Sequence, residues 1–307
     1  MGLKVVYLGT PAFAVPTLEA ILEAGHTVLE VITQPDRPKG RHQILEPSPI
    51  KACALKHALP VYQPERIRRP ESIAHLKELA PDVMVVVGYG QIIPQSIIDI
   101  PPRGIINVHA SLLPQLRGAA PIQWSIVNGD AITGVTTMQI DAGLDTGAIL
   151  LRTSTPIQPD ENAVQLGERL SHMGAQLLID TLDQNPTPIP QDNSQATLAP
   201  ILKKEDGLID WRRPAKAIHN QTRGLQPWPG GHTTFRGGTF NLWKARVGRS
   251  SNRAPGLLAP DGTVSCGDGT TLELLEVQLE GRKRIDAKSF LNGLRLTDNE
   301  TLGATQL

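Results

Sequence analysis

Gly104-Ile105-Ile106-Asn107-Val108-His109-Ala110-Ser111-Leu112-Leu113-Pro114 carries the reading of the fold. Ile105, Ile106 and Val108 are β-branched and follow a glycine, so the first half reads as a buried strand. Asn107, His109 and Ser111 recur at spacing two, which on an extended chain turns all three side chains to one face. Polar groups on one side of the end of an apolar strand indicate a site at the carboxyl edge of a parallel sheet. Further on, Asp141-Ala142-Gly143-Leu144-Asp145-Thr146-Gly147 supplies carboxylates from a second glycine-rich turn. Alone, each piece has an ordinary meaning. A histidine at a strand end is usually structural, and Asp-x-Gly is often only a turn.

Outward from this stretch the chain alternates strands and helices. Lys4–Leu8 reads as a first strand broken by Gly9-Thr10-Pro11, with Thr17 capping a helix that Gly25 ends, and Thr27–Thr33 as the next strand. This βαβ start resembles a Rossmann-type fold, but Gly-x-Gly-x-x-Gly is absent, which disfavours a dinucleotide. Gln34–Pro49 is a long loop carrying Arg37, Lys39 and Arg41, and loops of that length within α/β units are often functional. Val83–Val87 is an uninterrupted apolar strand, the mark of a sheet covered on both faces. It ends in Gly88-Tyr89-Gly90, where a backbone can approach a ligand closely. From Asp183 to Pro200 the composition turns polar and loses periodicity, as in a linker. Beyond it, short alternating runs such as Thr239–Val247 and Thr271–Val277, separated by Gly-Gly and Asp-Gly turns, indicate a small β-barrel.

The expected architecture is therefore α/β, with a Rossmann-like doubly wound N-terminal domain over 1–189, a linker over 190–206 and an OB-like β-barrel over 207–307. Charged residues at 20 % and apolar ones at 40 % are ordinary for a soluble globular protein, and no apolar run approaches the roughly 20 residues of a membrane span. Cys53 and Cys266 match no metal or redox spacing, and Met1-Gly2-Leu3-Lys4 leads straight into a strand without a signal pattern. The cytoplasm is the expected location. The net charge is zero, yet residues 1–207 are acidic by five charges and residues 208–307 basic by five. That split favours a polyanionic partner for the second domain.

Asn-x-His-x-Ser-Leu-Leu-Pro and Asp-x-Gly-x-Asp-Thr-Gly, in this order, resemble the folate-dependent formyltransferases. The resemblance continues through Lys204–Trp211 and Arg223–Gly230, landmarks of the branch whose amine substrate is methionyl initiator tRNA. It implies formyl transfer from 10-formyltetrahydrofolate as co-substrate, with no tightly bound cofactor, no metal and no membrane partner. Asn107, His109 and Asp145 match the catalytic positions. The side-chain amide of Asn107 and the ring of His109 are donors suited to a developing oxyanion, and Asp145 is a carboxylate able to relay a proton through water. Folate would lie along Gly88, Tyr89, Gly90 and Asp141, with Ser111, Leu112, Leu113 and Pro114 lining one side. The Ser111 hydroxyl has an alternative role, that of capping its turn. The loop with Arg37, Lys39 and Arg41 falls where the family contacts tRNA, and nothing demands more than a monomer. The chain departs from the family pattern at Gln43-Ile44, Gln115-Leu116 and Ile201. Two rivals remain: a formyl-folate enzyme acting on a small amine or on water, and a non-catalytic RNA-binding module.

Overall fold

The computed structural model describes residues 2–39, 44–294, 296 and 300–303. Along the chain run β1 (Lys4–Gly9), α1 (Val15–Glu23), β2 (Thr27–Ile32), β3 (Arg37–Lys39), β4 (Ile44–Glu46), α2 (Pro49–Lys56), β5 (Val61–Tyr62), α3 (Pro70–Leu79), β6 (Val83–Val87) and α4 (Gln95–Ile98). Then come β7 (Ile105–His109), β8 (Arg117–Gly118), α5 (Pro121–Asn128), β9 (Ile132–Gln139), β10 (Ile149–Pro156), α6 (Ala163–Gln184) and β11 (Leu198–Ala199). The last elements are α7 (Ala215–Gly224), β12 (Gly231–Phe235), β13 (Gly238–Ser250), β14 (Thr263–Ser265), β15 (Thr270–Leu279), β16 (Ile285–Asp286) and α8 (Ala287–Asn292). They form two compact units, and each unit is discontinuous in sequence. The first comprises Met1–Gly118, Thr133–Thr155 and Gly167–Leu198; the second comprises Ala119–Ile132, Pro156–Leu166 and Ala199–Leu307.

The first unit is built on a sheet of order β10-β9-β7-β6-β1-β2-β5. Strands β1, β2, β5, β6 and β7 pair in parallel, and β9 runs antiparallel to β7. All five residues of β6 are buried, as its unbroken valine-rich run requires of a central strand. Strand order reverses between β1 and β6, which leaves a crevice at their carboxyl ends. The segments that follow these two strands meet there. Thr10 Oγ1 donates to the Tyr89 carbonyl at 3.1 Å, and Gly88, at φ 59°, has no room for a Cβ, which would stand 2.9 Å from Pro11 Cγ. On the other side α6 lies close on β7 because Gly174 lacks a side chain; a Cβ there would come within 2.8 Å of Val108 Cγ1.

Three local expectations are corrected. Thr17 does not cap its helix: α1 starts at Val15, Pro16 fits its first turn because no N–H is needed there, and Thr17 is buried. The long loop after Gln34 is partly a ribbon, since β3 and β4 pair antiparallel with Arg37 opposite Glu46. The ladder accommodates Pro38 opposite Leu45. The polar stretch after Asp183 is held to the first unit, with Ile149 and Ile189 exchanging backbone hydrogen bonds at 2.8 Å. Ser48 caps α2 by accepting from the Lys51 N–H, and Gly129 ends α5 at φ 79°.

The second unit holds an antiparallel sheet of order β12-β13-β15-β14, with β16 added to β15. Register shifts at Leu242–Ala245 and Val247–Ser250 bend β13 where it crosses β15. The sheet wraps a core in which the rings of Phe235, Phe240 and Phe290 meet at tilted and edge-on angles, with centroids 5.2–5.9 Å apart. Among the described residues the sheet does not close on itself. Nor is any described helix long and apolar enough to cross a membrane.

Candidate active site

Strand β7 delivers two of the polar residues of the opening stretch to the carboxyl edge of the sheet. Asn107 is half-buried, and its amide makes no hydrogen bond to a described residue. His109 is 6 % exposed and closely held. Its Nε2 lies 2.9 Å from the Leu116 carbonyl, which can only accept, so the proton is on Nε2. Its Nδ1 stands 3.7 Å from Asp145 Oδ2. That carboxylate oxygen also accepts from the Gly118 N–H at 2.8 Å, while Oδ1 has no partner among the described residues. The structure therefore brings Asn107 and His109 onto one strand with the Asp145 carboxylate beside the ring.

Ser111 is not on that face, because β7 ends at His109 and the chain bends. Its hydroxyl donates to the Gln115 carbonyl at 2.6 Å and so caps the turn. Leu113 and Pro114 are buried, Leu113 against Met138 and Ile149, while Leu112 is half-buried. Of these four, Leu112 alone is open to a ligand. Asp141 closes its own loop by accepting from the Gly143 N–H at 3.0 Å and the Thr146 hydroxyl at 2.7 Å. Tyr89 puts its side chain in the core at 1 % exposure and leaves only backbone toward the crevice. Its carbonyl is fixed by Thr10 and by Gln34 Nε2 at 3.2 Å. Two large apolar side chains stand exposed just beyond Gly90 and Asp141, Ile92 at 86 % and Leu144 at 65 %.

Arg37 lies exposed on β3, and Lys39 follows on the same strand. Arg41 is outside the described residues.

Sequence reasoning missed the segment 191–197, which straps the site. Gln191 Nε2 donates to the carbonyls of Asp145 at 2.9 Å and Gly147 at 2.7 Å, and its Oε1 takes two hydrogen bonds from the buried Arg117 guanidinium. Asn193 accepts a third hydrogen bond from Arg117, and Thr197 Oγ1 accepts from the Leu116 N–H at 2.9 Å. Asp145 and Leu116 are both left-handed, at φ 51° and 58°. Such a backbone costs a non-glycine residue about 1 kcal/mol or more and persists where neighbours hold it. The strap holds both. The available signal was length, since a long aperiodic segment inside a compact fold is commonly functional.

A parallel-centred α/β sheet with a polar cluster at its carboxyl edge is a ligand-binding arrangement, and likeness to known proteins narrows the class. The formyl transferase model matches residues 3–182 and the formyl transferase C-terminal domain model residues 201–295. The chain belongs to the formyl transferase family. It is 61 % identical over 312 residues to the methionyl-tRNA formyltransferase of Solibacter usitatus, covering 99 % of this chain and 100 % of that one. With that of Koribacter versatilis the identity is 53 % over 97 % of this chain and 98 % of the relative. The fold matches the N-formyltransferase of Helicobacter canadensis in complex with folinic acid and dTDP-3-aminofucose, at TM-score 0.68, 19 % identity, and 89 % and 99 % coverage. It also matches HypX of Aquifex aeolicus in complex with tetrahydrofolic acid, at TM-score 0.64 and 14 % identity, over 95 % of this chain and 47 % of that one.

Proposed function

We propose that this chain transfers the formyl group of 10-formyltetrahydrofolate to the α-amino group of methionyl initiator tRNA. The observation that carries the reading is the cluster at the end of β7, Asn107 with a free amide and His109 beside Asp145, on a chain alike over its full length to enzymes named for that reaction.

The amine nitrogen attacks the formyl carbon, and the carbonyl oxygen becomes an oxyanion. The Asn107 amide donates to it, where a preorganised donor is worth most. His109, with its Nε2–H engaged by the Leu116 carbonyl, holds Nδ1 3.7 Å from Asp145 Oδ2, and the ring donates to the oxyanion only when Nδ1 also carries a proton. Asp145 keeps Oδ2 on the Gly118 N–H and takes the amine proton on Oδ1 through a water. The bond from carbon to N10 of the carrier then breaks, and that nitrogen takes the proton. The reaction as written uses no metal and no tightly bound cofactor. The carrier ring lies against the backbone of Gly88–Gly90 and of the Asp141–Asp145 turn, with Ile92, Leu112 and Leu144 as apolar cover.

The rest of the reading concerns the RNA. The bent sheet β12–β16 acts as an OB-like module for the tRNA, in keeping with the basic balance of residues 208–307. Arg37, Lys39 and Arg41 contact the acceptor stem. The protein works as a monomer in the cytoplasm, without a membrane partner. The chain's division of labour follows the expected domains 1–189 and 207–307. The test is formyl transfer measured on charged initiator tRNA, elongator methionyl-tRNA and an amino sugar nucleotide side by side. Transfer to the initiator alone supports the reading; transfer to the sugar amine alone replaces it with a small-amine enzyme.

A further inference from the structure

Outside the catalytic cluster, one group of side chains has the composition of a metal site. Glu19 of α1, Cys53 of α2 and His57, the residue that ends α2, place a carboxylate oxygen, a thiol and a ring nitrogen within 4.8 Å of one another. Cys53 Sγ is 3.9 Å and His57 Nε2 is 3.8 Å from the same oxygen, Glu19 Oε1. Cysteine and histidine four apart on a helix share one face, and the carboxylate comes from the neighbouring helix. From these residues we infer that the chain binds one borderline-soft divalent cation, Zn²⁺ above all, between α1 and α2.

The donor set is mixed sulfur, nitrogen and oxygen, which suits Zn²⁺ and not Mg²⁺ or Ca²⁺. Bond lengths of about 2.0–2.3 Å place tetrahedral donors roughly 3.3–3.6 Å apart. The separations to Glu19 Oε1, 3.8 and 3.9 Å, therefore need to shrink by a few tenths of an ångström, and the remaining pair, within 4.8 Å, by up to about 1.3 Å. The half-exposed ring of His57 has the freedom to do so. Water takes the fourth position.

Charge also balances. One carboxylate and one thiolate neutralise the cation, so Lys56, 3.8 Å from Glu19 and largely exposed, swings to solvent without leaving a net charge. Cys53 must lose its proton to ligate. Tyr7 also faces the group from β1, its hydroxyl donating to the Ala14 carbonyl. Binding accordingly releases a proton to the medium and strengthens as the pH rises. The bound cation joins the two helices that flank β1 and β2, and it stabilises the folded state by mass action.

The experiment uses the full chain, stripped with a chelator. Zn²⁺ is titrated in competition with a chromophoric chelator, and Co²⁺ is added separately to read the thiolate-to-cobalt charge-transfer band. Alkylation with mass mapping follows Cys53 against Cys266, the buried internal control. Expected are one Zn²⁺ per chain, the cobalt band, slower alkylation of Cys53 with Zn²⁺, a raised Tm, and no effect of Mg²⁺. Cys53→Ser abolishes the band. His57→Gln and Glu19→Gln each weaken Zn²⁺ binding by at least about tenfold, the loss seen even for outer-shell partners. Formyl transfer by the metal-free variants reports that they fold. Absence of stoichiometric Zn²⁺ in the wild type, or undiminished binding in Cys53→Ser or in the active His57→Gln variant, overturns the inference.

Discussion

The side-chain amide of Gln191 holds the backbone carbonyl of Asp145 at 2.9 Å, and the same nitrogen holds that of Gly147 at 2.7 Å. Asp145 sits in a left-handed conformation that a non-glycine residue adopts only under constraint. The buried Arg117 in turn fixes the Gln191 oxygen. In the proposed mechanism Gln191 is a positioning residue, since it holds the backbone that carries the Asp145 carboxylate. Gln191→Ala should lower kcat roughly 10²-fold, the scale of a misplacement of about 1 Å, with little change in KM for tRNA. Steady-state kinetics on the folded variant check this. A lowered Tm with kcat intact would mean that the strap is only structural.

Asn107→Ala, His109→Ala and Asp145→Ala should each cut kcat sharply, with tRNA affinity preserved. Loss of one oxyanion donor typically costs roughly 10²–10³ in rate. Residues that act as a unit do not lose additively, so Asn107→Ala/Asp145→Ala should fall little below the worse single variant. Single-turnover rates with saturating tRNA measure it. Near-normal turnover in His109→Ala would sink the mechanism.

Arg37, beside Lys39 on the β3–β4 ribbon, gives a salt-dependent expectation. Each phosphate neutralised contributes roughly 0.7–0.9 to the slope of log affinity against log salt. Arg37→Ala and Lys39→Ala should each weaken initiator and elongator tRNAs alike and flatten that slope. Arg41→Ala should in addition narrow the kcat/KM ratio between the two tRNAs. If the ratio is unchanged, discrimination belongs to the second unit.

His219 of α7 is buried, and its Nδ1 has no partner among the described residues. Burial first, then Arg223 and Lys216, hold its pKa below the ordinary 6.5, while Asp160, 3.8 Å from Nε2, opposes them. The folded state therefore takes up a proton less readily than the unfolded one. The stability this provides is complete above pH 6.5 and is lost as the pH falls below that value. Thermal melts between about pH 7.5 and 5 should show a smaller drop in Tm for His219→Gln than for the wild type. Equal drops would assign the acid sensitivity to other groups.

The central strands were legible because a doubly covered sheet writes itself as unbroken apolar runs, and Val83–Val87 is a strand over the expected bounds. Of the cluster, Asn107 and His109 could be read because period two survives to the end of β7. Ser111 could not, because one bend past the strand removes it from that face. The ribbon at Arg37 was hidden by Pro38, and the strap at Gln191 by a polar sequence whose meaning lies in contacts some 46 residues away. Local patterns do not encode such distant hydrogen bonds. Neither did they reveal that Cys53 and His57 share a face with Glu19, which comes from a different helix.

The strap also sets an order of events during synthesis. Asp145 leaves the ribosome well before Gln191, which follows it by 46 positions, and Thr197 comes later still. The parallel strands from β1 to β7 precede both, and nascent domains fold from the N-terminal side as the chain emerges. A nascent chain can thus hold its sheet while the Asp145 turn is still unclamped. The Asp145 turn gains its clamp only after Gln191 has emerged, so the sheet is complete before the turn beside it is fixed.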